Sequence, residues 1–344
     1  MLIPVSSSTP SPYRYSDDPT IREEVFHCLE QRFGFRIQGH VSGFPGLLNM
    51  KWLIETDRGP YFIKYYHPDR YNLGDASRRS RLERSLSYQH YLHEKSRICP
   101  QVYPKDGTFV QRTPSGAFFI VMEAVTGEWI GAGQWNSEQM AALGQATGTM
   151  HRLLAPCDAY AVEWVPDLGT MRDKWKLNYD QLLQGEKGTS ARMLAAIEKQ
   201  GALLATLDPS AFVESLAPHC AHWDLWADNL LYHPGTGRVS LLDFDSTTFA
   251  YTQVDVARAL LSGAWHNDRL DLSRVAAFVA AYREAYELPV GGLPAAFRLL
   301  WCREAGWWLK GTYEEWSVPP KRFAEELIWL TEQWETLDEL LGGI

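Results

Sequence analysis

The chain has 344 residues, 45% of them hydrophobic, which is enough apolar material for a large core and for two lobes. Its formal net charge of -9 argues against duplex nucleic acid as a partner, because proteins that live on phosphate contacts are usually basic. The five cysteines (Cys28, Cys99, Cys157, Cys220 and Cys302) are scattered without CxxC spacing, which argues against a disulfide framework or a cysteine-based zinc site.

Residues 1 to 16 are rich in Ser, Pro and Tyr and are expected to form a loose tail. This start lacks a basic region followed by a continuous apolar stretch, and no run of about 18 apolar residues follows anywhere, so a cytoplasmic protein without a membrane partner is expected. DDPTIREEVFHCLEQRFG predicts a helix capped by Asp17 or Asp18, with Pro19 in its first turn and Gly34 at its end. FRIQGHV, NMKWLIETD and GPYFIKYY then read as short strands, the last two joined in a hairpin through Asp57, Arg58, Gly59 and Pro60. A helix is expected around 78 to 95, where Arg78, Arg79, Arg81 and Arg84 form a local basic cluster. More strands are expected through RICPQVYPKDGTFVQRTPSGAFFIVMEAV, with a turn near Pro114 to Gly116. After Gly127 the pattern becomes helical: SEQMAALGQATGTMHRLL, then 169 to 184, 189 to 206, and from 255 to the end.

HWDLWADNLLYHPGTGRVSLLDFD, residues 222 to 245, interrupts that helical part. LLYH and RVSLLDF flank a Pro/Gly turn and predict a hairpin, with Asp224 and Asn229 before its first strand and Asp243 and Asp245 after its second. A tight hairpin brings its ends together, so Asn229 and Asp243 should be neighbours. Crowded carboxylates repel unless a cation sits between them, and Asp and Asn oxygens suit a hard ion such as magnesium. Asp224 is then available as a base or an orienting group. These are the requirements of phosphoryl transfer, in which the protein supplies charge neutralisation and positioning more than covalent chemistry. His222, Asp224, Leu225 and Asn229 fall at the spacing of the kinase catalytic loop, and Asp-Phe-Asp stands where Asp-Phe-Gly would. The cation such chemistry needs on the nucleotide is Lys64, on the strand YFIKYY, and VSGFPGLLN upstream has the place of a phosphate-covering loop.

In that order of elements the chain resembles the aminoglycoside phosphotransferase/choline kinase superfamily, and in the tone of HWDLWADNLLYH and LLDFD the homoserine-kinase-like and spore-coat CotS-like branch. The resemblance rests on SGFPGLLN with Asn49, YFIKYY, FFIVMEAVTGE, LGQATGTMHRL with His151, HWDLWADNLLY, LLDFDSTTF and VDVARALL with Asp255, roughly residues 39 to 265. It implies an α+β, bilobal protein-kinase-like fold: a tail over 1 to 16, a small antiparallel-sheet lobe over 17 to 123, a hinge at 124 to 128 and a mostly helical catalytic lobe over 129 to 344. It implies Asp224 as the catalytic base, with Asn229 and Asp243, joined by Asp245, on magnesium. Lys64, Ser42, Gly43 and Asn49 would serve the ATP phosphates, and the backbone at Met122, Glu123 and Val125 the adenine. His222 and Asp255 would hold the catalytic loop, and His151 is expected to be a packed core residue.

Two departures from the family pattern stand out. Trp223 replaces the usual Gly after the His, and Ser85 aligns with the helix Glu that pairs with the strand Lys; Glu83 lies two positions off, about 200° around a helix. Only nine residues separate Asp245 from Asp255, too few for a peptide-positioning activation segment, which favours a small hydroxyl acceptor. The negative surface modestly favours a cationic or amphoteric one. Trp223, Trp226 and Glu304 are the candidate acceptor-pocket residues, with Glu304, Glu314 and Glu315 offered by charge alone as receivers of an amine. A weak or inactive homologue with a binding role is the alternative, and a protein kinase a third reading.

Overall fold

The computed structural model describes residues 18–42, 49–157, 161–184, 189–214, 216–316 and 318–344. The expected tail and residues 43–48 of the SGFPGLLN loop, Gly43 included, lie outside these residues. The chain divides into two compact units, Met1–Val125 and Thr126–Ile344.

In the first unit, helix α1 (Pro19–Phe33) starts as expected. The Asp18 side chain accepts the amides of Thr20 and Ile21, Pro19 occupies the first turn, and Gly34 ends the helix at φ 69°. Strands β1 (Ile37–Ser42), β2 (Lys51–Thr56) and β3 (Gly59–Tyr66) follow, then helices α2 (Pro68–Tyr71) and α3 (Ala76–Ser96), and strands β4 (Gln111–Arg112) and β5 (Phe118–Glu123). The strands form one antiparallel sheet in the order β1-β2-β3-β5-β4. Period-two alternation decides which side chain faces which layer. Trp52, Ile54, Ile63, Phe119 and Val121 pack with Val25 and Leu29 of α1. Tyr66 and Ile120 pack with Leu82 and Leu86 of α3. Lys64 lies opposite Ile120 in the β3–β5 ladder, so it shares the α3 face.

The second unit runs through α4 (Ser137–Leu154), α5 (Leu168–Leu183), α6 (Ala191–Thr206) and α7 (Ser210–Val213). Strands β6 (His219–Ala221), β7 (Leu230–His233), β8 (Arg238–Leu241) and β9 (Thr248–Ala250) come next. Then follow α8 (Gln253–Ala264), β10 (Trp265–His266), β11 (Arg269–Leu270), α9 (Leu272–Ala285), α10 (Gly292–Trp308), α11 (Pro320–Glu332) and α12 (Leu337–Leu341). The helices expected after 255 are therefore interrupted by a β10–β11 hairpin. Its turn residues Asn267 and Asp268 sit at φ 48° and 58°, the doubly left-handed turn that matches strand twist. Every residue of α8 from Val254 to Ala264 is buried, so this helix is the axis of the unit. Helices α4 and α9 touch backbone to backbone: a Cβ on Gly144 would stand 2.1 Å from the Phe278 carbonyl oxygen, and one on Gly148 2.8 Å from that of Tyr282.

Candidate active site

The segment carrying Asp224 leaves β6, and β6 pairs antiparallel with β9, which follows the Asp-Phe-Asp turn. This two-stranded ribbon, absent from the sequence reading, ties Ala221 to Thr248. The expected β7–β8 hairpin forms, pairing Leu230 with Leu241 and His233 with Arg238, and the Leu242 amide donates to the Asn229 carbonyl at 2.9 Å, so the two ends of the hairpin meet.

The loop between β6 and β7 is anchored from α8. Asp255, 1% exposed, accepts the amides of His222 at 2.6 Å and Trp223 at 2.8 Å. His151 Nε2 donates to the same carboxylate at 3.1 Å, and its Nδ1 lies 2.8 Å from the Tyr282 hydroxyl. Burial alone would raise the Asp255 carboxyl. The His151 hydrogen bond and charge, with His222 and the Trp223 amide, outweigh burial and hold the group below the usual carboxylate range. His222 is fully buried; its Nε2 faces the Leu242 carbonyl at 2.9 Å and its Nδ1 accepts the Asp224 amide at 3.3 Å, which places the ring proton on Nε2. Trp223 adopts φ 70°, the left-handed conformation that glycine takes without cost and that costs other residues about 1–2 kcal/mol. Its ring meets Trp164 edge-on at 5.4 Å and the Arg303 guanidinium at 4.5 Å.

Asp224 is held by Asn229, whose Nδ2 donates to its carboxylate at 3.1 Å and to its carbonyl at 2.9 Å. Burial first, and the neighbouring Asp243 charge second, push the Asp224 carboxyl up; His222, Arg303 and Asn229 oppose them. Asp243 is at φ 63°, and Asp245 lies in the single 3-10 turn Phe244–Ser246. Two mutually repelling carboxylates beside an amide oxygen form a donor set that fits a hard divalent cation. Among the described residues no group of three or more His, Cys, Asp or Glu is placed to hold a metal by itself. Such an ion would therefore need Asn229 and ligand oxygens as well.

In the first unit, Lys64 is 2% exposed, with Nζ 5.2 Å from the Tyr66 ring centroid. Ser85 is fully buried on α3. Glu83 is turned to the loop before β4, where its two oxygens accept the amides of Phe109 and Val110 at 2.9 and 2.8 Å. Ser42 ends β1 opposite Trp52. Asn49 donates to the Tyr71 hydroxyl at 3.2 Å, and its buried Oδ1 has no hydrogen-bond partner among the described residues. Met122 and Glu123 close β5, and the Glu123 amide donates to the Gln101 carbonyl. Val125 follows outside any strand.

Beside Asp224 in the second unit lies a cavity of about 160 Å³. Trp226 and Glu304 line it, together with Arg258, Arg303, Trp307, Trp308 and Phe323, which the sequence reading did not single out. Trp223 is not among the lining residues; it backs Arg303 instead. Glu304 as receiver of an amine needs correction. Its two oxygens are bound by Arg258 at 3.0 Å and Arg303 at 2.6 Å, and Arg258 is also paired with Glu326. Glu314 and Glu315 are exposed, and Glu314 stands 3.8 Å from Lys321. The sequence shows only that charged residues sit in otherwise apolar helices, in VDVARALL, LLWCREAGWW and FAEELIWL, and not that they pair with one another.

A small antiparallel sheet with its helices, then a mostly helical unit carrying H-x-D-x-x-x-x-N, a hairpin and D-x-D, is the kinase-like fold. The chain belongs to the phosphotransferase enzyme family, whose model matches residues 40–300. A search of curated protein sequences gave no match. Among solved structures, a microcompartment-associated aminopropanol kinase is 17% identical over 95% of this chain and 99% of its own, with a TM-score of 0.63. An amicoumacin kinase in complex with AMP-PNP, Ca2+ and Ami is 17% identical over 93% and 94%, at 0.60. The choline kinase LicA from Streptococcus pneumoniae is 13% identical over 91% and 99%, at 0.57. At these identities the likeness is one of fold.

Proposed function

We propose that the protein is an ATP- and magnesium-dependent kinase that phosphorylates a hydroxyl of a small molecule. The observation that carries this reading is the Asp224–Asn229–Asp243 constellation, whose Asp224 also lines a cavity of small-molecule size. The printed names of the aminopropanol, amicoumacin and choline kinases support a small-molecule acceptor, and the AMP-PNP and Ca2+ of one of them support a nucleotide with a divalent cation.

In this reading Asp224 orients the acceptor hydroxyl and accepts its proton as the oxygen attacks the γ-phosphorus and ADP departs. Its raised proton affinity makes it a stronger base than an ordinary carboxylate. Asn229 keeps the Asp224 carboxylate in one orientation. Asn229 and Asp243, with Asp245, would hold magnesium, which supplies neutralisation of the phosphate charge. Lys64 is assigned the nucleotide phosphates, with Ser42, Gly43 and Asn49, and the backbone at Met122, Glu123 and Val125 the adenine. His222 and Asp255 position the loop. A soluble cytoplasmic setting accords with the substrates of such an enzyme.

The test is ADP release from ATP across a panel of hydroxyl acceptors, with wild type and Asp224→Asn. The variant should lose about 10²–10⁴ in kcat, the range of a general base. Equal turnover by both would remove Asp224 from the chemistry. The second reading, a binding protein on a kinase scaffold, draws on Trp223 and Ser85. It predicts no acceptor-stimulated ADP release from either protein.

A further inference from the structure

The peptide unit between Trp223 and Asp224 is held at both of its polar groups. A peptide unit is planar, so fixing its N–H and its C=O fixes the plane, and the plane sets the direction in which the Asp224 side chain leaves the backbone. The N–H end is weakly held: the Asp224 amide reaches His222 Nδ1 at 3.3 Å. The C=O end is strongly held. Arg303, on α10, donates through Nη2 to the Trp223 carbonyl at 2.7 Å, a charge-assisted bond. The Trp223 amide, on the preceding peptide unit, donates to Asp255 of α8 at 2.8 Å. Trp223 is therefore gripped by its N–H from α8 and by its C=O from α10, with φ at 70° between the two.

A tryptophan does not hold the left-handed conformation unaided. Such a conformation persists only where the surroundings over-determine it. The Trp223 ring supplies part of the hold. The Arg303 guanidinium stands 4.5 Å from its centroid, and Trp164 meets it edge-on at 5.4 Å. Trp164 in turn meets Tyr251 edge-on at 6.3 Å. Arg303 thus touches Trp223 twice, once at the carbonyl and once over the ring. Its guanidinium is oriented by Glu304, which accepts from Nη1 at 2.6 Å. Glu304 is itself fixed by Arg258, which Glu326 holds from α11. The Glu304 carboxylate balances the charge of Arg303, so what Arg303 gives the site is a donor in a fixed place rather than a free charge.

We infer that Arg303 is a positioning residue for the proposed phosphoryl transfer: by pinning the Trp223 carbonyl it holds the left-handed turn and aims the Asp224 carboxylate at the acceptor hydroxyl. Glu304 orients Arg303 for that task, and the Trp223 ring keeps the guanidinium in register. The catalytic meaning of this clamp rests on the kinase reading of Asp224, whereas the clamp itself does not.

Two measurements on the full-length protein test the clamp and its catalytic meaning separately. The first is hydrogen exchange read by mass spectrometry, without nucleotide, over 221–228 and over α8. Arg303→Met keeps a long unbranched side chain and removes every donor. Loss of the charge-assisted bond should speed exchange over 221–228 by about ten- to a hundredfold and leave α8 within about threefold of wild type, because the opening is local. Arg303→Lys keeps a donor but not the planar fork, and should exchange only about threefold faster than wild type over 221–228. It also decides the matter alone if Arg303→Met does not fold. Unchanged exchange over 221–228 in the folded variants, or equal acceleration in α8, would overturn the inference. The second is ADP release from ATP with magnesium, offering choline, homoserine, 3-amino-1-propanol and spectinomycin. With any of these that is turned over, Arg303→Met should lower kcat by about tenfold or more and leave KM for acceptor and ATP within about twofold, since a displacement of about 1 Å in the attack geometry costs about a hundredfold. Arg303→Lys should recover most of the loss. A raised acceptor KM at constant kcat would make Arg303 a binding residue and overturn the inference. Absent ADP release from wild type, with exchange as expected, counts against the kinase reading alone.

Discussion

Asp255→Asn tests how the loop carrying Asp224 is held. The substitution keeps the shape of a buried side chain that accepts three hydrogen bonds, from the His222 amide, the Trp223 amide and His151 Nε2. The new side chain has one acceptor oxygen in place of two. Whichever way its amide is turned, at least one buried backbone N–H is left facing a donor. An orphaned buried donor costs about 1–3 kcal/mol, and loss of charge assistance costs about 1 kcal/mol for each of the other two bonds. The sum, about 3–5 kcal/mol, corresponds to a fall in Tm of roughly 6–20 °C at 2–4 °C per kcal/mol. Thermal unfolding at pH 7 reads this directly. The pH dependence gives a second check. The Asp255 carboxyl is held below the usual range in the folded protein, so its stabilisation is present above the unfolded value of about 3.9 and lost as pH falls through the folded one. The gap between wild type and Asp255→Asn should therefore be constant from pH 8 to 5 and shrink below about pH 4. A variant as stable as wild type at pH 7, or a gap that grows on acidification, would refute the reasoning.

Other substitutions probe the packing and the charge cluster. Gly144→Ala drives a methyl group into the Phe278 carbonyl, and α4 must shift from α9. It should lower Tm by roughly 6–12 °C, from about 3 kcal/mol of overpacking, while Gly235→Ala, with nothing within 4 Å, should change it by under about 2 °C. Glu83→Ala should lower stability by about 1–3 kcal/mol in urea unfolding, since it strips the carboxylate from the amides of Phe109 and Val110. Asp224→Asn should raise Tm in EDTA at pH 7. The raised Asp224 value means its contribution to stability is full below the ordinary carboxylate pKa and lost as pH rises through the raised one. That gain should vanish below about pH 4.

Local chemistry made much of this structure legible in the sequence. Asp18, Pro19 and Gly34 mark both ends of α1 within the segment itself. The β7–β8 hairpin is legible for the same reason: apolar strands, a Pro/Gly turn and polar residues at both ends are contiguous. Features made by distant segments were not legible. The β6–β9 ribbon joins strands too short to show a period. The Arg258, Glu304 and Glu326 network gathers one charge from each of three helices, and pairing with Arg258 and Arg303 changes what Glu304 can do. Nor does the identity of Trp223 show that it occupies the left-handed conformation with its carbonyl on Arg303. The sequence marks where chemistry-bearing residues lie, and packing decides which of them still have donors or charge to offer.

The central claim is that this chain binds ATP through a divalent cation held by Asn229 and Asp243. Thermal unfolding with ATP, with magnesium and with both together tests it most directly, before any acceptor is identified. With ATP at about 100 times its dissociation constant, binding adds about 2.7 kcal/mol, or roughly 5–10 °C in Tm. The account predicts that rise only when both are present, and its loss in Asp243→Ala. No rise with either ATP or GTP in the presence of magnesium would contradict it.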